Sequence, residues 1–187
     1  MLKLGLLADA FQTYWNDVEK CRAAKAYWSL LHVTVCLPDV CAALQSANGE
    51  TTEKRYAAWC DDWLKEPLLS GSERYGIRCK VLHQGRASGR KSGRYSAYAF
   101  GQPSSDGHVD HMRLESGTLH LDVGELATQT RQAVDNWIEW LEANPSSPRA
   151  CNVMKYLPSL VHVCRTPVWE PAQAGSGLQV YIYNKTN

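Results

Sequence analysis

From Leu4 to Leu37 apolar side chains return mainly every three or four residues, at Leu7, Phe11, Tyr14, Trp15, Val18, Cys21, Leu30 and Leu31. No Gly or Pro falls between Leu6 and Leu37, so the spacing predicts one long helix. Pro38 is expected to end it, because the residue before a proline is pushed out of the α region. Asp39 then stands where it can cap a short turn over residues 40–44. A second helix is predicted over 53–65, with Thr51 or Thr52 as its cap, a stripe of Tyr56, Trp59, Cys60 and Trp63, and Pro67 as its stop. Ser70-x-x-Glu73 reads as a capping box opening a third helix over 71–84, and Gly85 suits its C-terminal cap. Asp122-x-x-Glu125 opens the clearest helix, over 122–142, with Leu126, Thr130, Ala133, Val134, Trp137, Ile138 and Leu141 on one face. A weaker helical stretch begins near Cys151 and runs to Tyr156 or on to Val163.

Between the third helix and this fourth one the pattern changes. Gly85 to Gly93 is Gly, Ser, Arg and Lys and reads as a flexible loop. Tyr95–Phe100 and Arg113–Leu121 alternate in part and predict two short strands, a hairpin with a long connection around Pro103–Gly107. Leu178–Tyr183 reads as a late edge strand after a Pro- and Gly-rich tail. The fold class expected is mainly α: an antiparallel helical bundle with a small β appendage.

The stretch richest in chemistry is Arg74 to Gly85, which contains Arg78-x4-His83 at the end of the third helix. Five residues turn a helix by about 500°, so the two side chains leave it roughly 140° apart and do not share a face. They can still line one cleft between helices, or converge across a two-fold axis with a second copy. His83 lies in the last turn, where the helix dipole supports an acid/base role. Arg78 offers a fixed charge and a forked donor suited to phosphate. Proton transfer by histidine and charge stabilisation by arginine together suit phosphodiester cleavage. The plain alternative is a solvated arginine and an ordinary histidine at a helix end.

The Arg-x4-His pattern followed by Gln84-Gly85 resembles the HEPN superfamily. So do Tyr75, Leu82, Leu37-Pro38-Asp39-Val40-Cys41, Gly49, Arg55-Tyr56 and Trp59, and the resemblance covers about residues 10–90. It implies a helical bundle, commonly dimeric, that cleaves RNA without metal at a cleft built from both subunits. In such a protein His83 serves as general acid/base on the 2′-hydroxyl or leaving oxygen, and Arg78 stabilises the phosphorane-like charge. Active members often carry a polar residue directly after the arginine; here Cys79 stands there. Other relatives are non-catalytic modules that bind RNA, nucleotide or a partner protein. The resemblance also implies a toxin or defence role, with a homodimer and a cognate antitoxin as partners. On this reading residues 1–187 form one HEPN-like domain. Residues 1–90 carry the motif, 91–121 hold a basic loop and β insertion, and 122–187 form the C-terminal helix and tail.

Charge sharpens the RNA expectation locally. Lys plus Arg is 20 against 19 Asp plus Glu, so the 187-residue chain is not a uniformly basic nucleic-acid sleeve. Yet Arg86, Arg90, Lys91 and Arg94 follow the motif with no acid between Arg78 and Arg94, a candidate phosphate-contacting loop. Tyr95 and Tyr98 are candidates to stack on bases. A solvated loop that happens to be cationic is the alternative. His108-Val109-Asp110-His111 has metal-ligand residue types but no clear fourth partner, and no metal or other cofactor is expected. Asp39 and Glu73 are read as caps rather than as partners of the motif.

Seven cysteines without a Cys-x-x-Cys pair suggest reduced, buried thiols in a cytoplasmic protein. No window approaching 18 apolar residues is expected, hence no membrane span, and the N-terminus lacks the pattern of a secretory signal. Seven tryptophans and nine tyrosines against two phenylalanines predict a core of aromatic rings with polar edges that need partners.

Overall fold

The computed structural model describes residues 5–89, 93–102 and 109–160. Within them lie six α-helices, α1 (Gly5–Ala23), α2 (Tyr27–Leu44), α3 (Glu53–Trp63), α4 (Gly71–Gln84), α5 (Val123–Ala143) and α6 (Pro148–Tyr156). Three strands accompany them, β1 (Ala97–Gly101), β2 (Arg113–Glu115) and β3 (Thr118–Asp122), and a 3-10 turn follows α6. The chain is mainly helical with a small sheet. The late strand expected at 178–183 lies outside the described residues.

The long first helix is in fact two. The Ala26 N–H bonds the Cys21 carbonyl at 2.8 Å and the Lys25 N–H bonds Arg22 at 3.0 Å, with Lys25 at φ 54°. That is a Schellman closure, normally built on glycine. Because lysine fills the left-handed position, the sequence carries no stop signal there. Pro38, conversely, does not end a helix but lies inside α2. Its missing N–H withdraws the donor from the Thr34 carbonyl. The neighbouring Val35 carbonyl is served from α3 by the Tyr56 hydroxyl at 3.1 Å. The helix therefore continues through the proline, and Asp39 becomes an interior residue rather than a cap.

The other helix starts follow their caps. The Thr52, Ser70 and Asp122 side chains accept from Arg55, Glu73 and Glu125 N–H, and Ser70 with Glu73 completes a capping box. Gly71 at the start of α4 lies against α3 so closely that a Cβ there would meet the Ala57 oxygen at 2.0 Å.

The sheet is not the expected hairpin of two strands. Ser116 and Gly117, at φ 48° and 79°, make a two-residue turn that splits the second stretch into β2 and β3, which pair antiparallel. β1 instead pairs parallel with β3 on its other side, giving the order β1-β3-β2. The segment after α4 is also held rather than loose. Gly89 N–H bonds Ser96 O at 2.8 Å, and Tyr98 N–H bonds Ala87 O at 2.7 Å.

One contiguous apolar cluster runs through all six helices and the sheet. Trp137 of α5 is at its centre, edge-on to Phe11 and Trp59, with its indole N–H on Gln45 at 3.0 Å. Trp140 lies edge-on to Trp63 of α3. Against expectation, α2 is long and apolar enough to cross a membrane by length and composition, with mean hydropathy 1.4 over 18 residues; half of it is buried inside the fold. The six described cysteines are free, with Cys41 and Cys60 buried, Cys21, Cys36 and Cys79 half-buried, and Cys151 exposed.

Candidate functional site

α2 and α4 pack side by side and bring one carboxylate against the motif. The Arg78 Nε donates to Asp39 Oδ2 at 2.6 Å. The Arg78 Nη1 lies 3.1 Å from His83 Nε2 and also faces the Cys79 sulfur at 3.9 Å. Arg78 and His83 therefore meet within one chain. The angular offset along α4 is real, but the arginine side chain is long enough to reach the next turn from the groove where Asp39 holds it. Sequence reasoning assigned Asp39 to a cap and missed it here. A signal was present: Asp39 is the only Asp, Glu, Lys or Arg in α2.

A guanidinium has donors only, so the His83 Nε2 must be the acceptor and its ring proton sits on Nδ1. His83 is exposed, whereas the Arg78 and Asp39 side chains keep 22% and 14% of their surface. The Tyr75 ring lies 5.9 Å from the guanidinium carbon and covers one side of it. Arg78, Asp39 and Cys36 share a partly dry groove.

The electrostatics of the pair are uneven. Burial pushes the Asp39 carboxyl above the ordinary carboxylate range, and the hydrogen bond and charge of Arg78 and the nearby His83 only partly pull it back. Burial also works against the Arg78 charge, but there Asp39 and Cys79 outweigh it and the guanidinium is held more firmly charged. The two shifts differ on whether the ion pair repays its desolvation. The Asp39 shift is the better guide: its other oxygen, Oδ1, is enclosed and finds no donor. Burial likewise pushes the Cys36 thiol up, with Asp39 adding to the rise and Arg78 opposing it.

The basic loop is only partly in view. Arg90 and Lys91 lie outside the described residues. Arg86 is exposed next to the helix end. Arg94 turns back onto the fold, donating to the Pro67 carbonyl at 3.0 Å, with its Nε 3.5 Å from a Glu73 carboxylate oxygen. Tyr95 and Tyr98 are buried, so neither ring is available to stack on bases; the Tyr95 hydroxyl donates to the Leu68 carbonyl. Glu73 is both cap and Arg94 partner and does not reach the motif pair.

The histidine-rich stretch is divided among local partners. Asp110 pairs with Arg113 at 2.6 Å, and His111 Nδ1 accepts the Asp122 N–H at 3.1 Å; His108 lies outside the described residues. Among the described residues no three His, Cys, Asp or Glu side chains gather as metal ligands.

Compared with protein-family models, with curated proteins and with solved structures, the chain matches none.

Proposed function

We propose that the protein is a HEPN-like, metal-independent endoribonuclease whose working groups are Arg78 and His83, with Asp39 positioning the arginine. The observation that carries this reading is the single guanidinium bonded at once to Asp39 and to His83 at an accessible helix end. An RNA phosphate is a stronger acceptor than a neutral imidazole, so it draws the Arg78 Nη1 donor away and frees Nε2. His83 then takes the proton of the 2′-hydroxyl as that oxygen attacks phosphorus. The bond to the 5′-oxygen breaks, that oxygen regains a proton, and a cyclic phosphate remains. Arg78 meets the negative charge that builds on the phosphorus oxygens in the transition state.

In this reading the helices act as an antiparallel bundle of the HEPN kind. A homodimer brings two such groups to one cleft, so that one histidine serves as base and the other as acid. Arg86, Arg90 and Lys91 guide the RNA backbone. Arg94, tied to Pro67 and Glu73, supports the loop. Control by a cognate antitoxin in a toxin or defence setting follows from the resemblance.

A second reading has its own support. Two of the Arg78 donor positions are satisfied inside the chain, which suits a module that binds RNA, nucleotide or a partner protein without cutting. Incubation of purified protein with a broad RNA panel in EDTA separates the two. Fragments ending in a cyclic phosphate support the nuclease. Salt-sensitive RNA binding with no fragments supports the module.

A further inference from the structure

Arg74 is 7% exposed and lies in the first turn of α4. Its Nε donates to the Leu69 carbonyl at 3.2 Å, while Nη2 is enclosed and finds no hydrogen-bond partner. Among the described residues Arg74 makes no ion pair within 4 Å. Asp61 and Glu66 act on it only from a distance. Both are committed elsewhere, Asp61 to the Gly71 N–H at 2.6 Å and Glu66 to the Leu68 N–H at 3.2 Å. The first turn of a helix adds positive partial charge of its own. Burial accordingly lowers the proton affinity of the guanidinium, yet arginine stays charged in proteins. A buried, permanent cation without a counter-ion is the costliest arrangement a fold can hold.

Arg74 also lines a cavity of about 20 Å³ enclosed by Val35, Pro38, Tyr56, Leu69 and Ile77 among others. About 10–15 Å³ is enough for one water, so this volume admits a single small occupant and excludes phosphate, sulfate or a carboxylate. The walls are mostly apolar. The Thr34 and Tyr56 hydroxyl protons are already given to Leu30 and Val35 carbonyls.

We propose that this cavity is a binding site for one monatomic anion of chloride size, held by Arg74 and neutralising it. Charge selects an anion, volume limits it to one atom, and apolar walls favour a weakly hydrated halide. The site lies directly behind the motif, since Pro38 precedes Asp39 and Ile77 precedes Arg78. An occupied cavity therefore braces α2 against α4 and fixes the spacing of the Asp39–Arg78 pair. The inference does not depend on RNA cleavage.

The test starts from protein exchanged into gluconate and titrated with chloride, bromide or sulfate at constant ionic strength, reading the thermal midpoint. Chloride and bromide should raise Tm saturably, by about 3 °C at ten times the dissociation constant, and sulfate should not. Arg74→Met keeps the length and loses the charge, and its halide response should vanish. Crystals soaked in bromide should show an anomalous peak beside Arg74 Nη2, a readout that stands even if Arg74→Met fails to fold. A water in the cavity with no bromide peak, or a halide shift that survives in Arg74→Met, overturns the proposal.

Discussion

Replacing Asp39 should separate the order of the motif from the stability of the fold. Asp39 and Arg78 are bonded at 2.6 Å with most of both side chains out of water. Breaking a well-compensated buried ion pair typically costs about 3–5 kcal/mol. Asp39 is not well compensated, because its carboxyl is held above the ordinary range by burial and its Oδ1 has no donor. Asn keeps an acceptor for Arg78 Nε and removes the desolvated charge. Asp39→Asn should therefore lie within about 1 kcal/mol of the parent at pH 7. Asp39→Ala leaves the guanidinium Nε without an acceptor and should cost about 2 kcal/mol, the size of one hydrogen bond to a charged group. The pH dependence has a definite sign. A carboxyl whose folded pKa lies above its unfolded value adds stability that is full below the unfolded value, about 3.9, and is lost as pH rises through the folded one. The parent should accordingly gain on Asp39→Asn as pH falls from 7 through that raised value. Urea unfolding followed by fluorescence of the buried Trp59 and Trp137 measures all three proteins across pH. A loss of about 3 kcal/mol or more in Asp39→Asn at pH 7, or a parent that gains on it as pH rises, refutes the reasoning.

Gly71→Ala should destabilise the fold by about 3 kcal/mol or more in the same assay, because its Cβ would stand 2.0 Å from the Ala57 backbone oxygen and both helices must move. A change under about 1 kcal/mol would contradict that contact. If the basic segment meets phosphates, Arg86, Arg90 and Lys91 changed together to Ser should flatten the salt slope of RNA binding by about 2, at roughly 0.7 per single-strand contact. An unchanged slope moves the contact surface elsewhere. Arg94→Ser should lower stability instead, since Arg94 is tied to Pro67 and Glu73. An Arg94→Ser protein as stable as the parent but weaker in RNA binding would return Arg94 to the phosphate-contacting set.

The parts of the fold legible in the sequence were those with local chemistry at their ends. Thr52, Ser70 with Glu73, and Asp122 mark helix starts because their oxygens serve N–H groups a few residues away. The break at Lys25 was hidden because its left-handed residue is neither glycine nor asparagine. The passage of α2 through Pro38 was hidden because the compensating donor, Tyr56, comes from another helix. The parallel pairing of β1 with β3 is equally a long-range fact, although Ser116-Gly117 did advertise the turn between β2 and β3. The site divides in the same way. Arg78 and His83 could be named from spacing, but their meeting required Asp39 on a different helix. Tyr95 and Tyr98, read as free rings, are drawn inside by the sheet.

The central claim is that Arg78 and His83 act as one unit on an RNA phosphodiester. Its most direct test is single-turnover cleavage, in EDTA, by the parent, His83→Ala, Arg78→Lys and the double variant, each first shown to be folded. General acid/base catalysis contributes roughly 10²–10⁴-fold, so His83→Ala should lose about that much. Arg78→Lys keeps the charge but loses the fork that spans Asp39 and His83, and should also fail substantially. The double variant should be little worse than the worse single one, because both groups serve one transition state. Cleavage that His83→Ala leaves intact, or a double variant whose losses multiply, would contradict the claim.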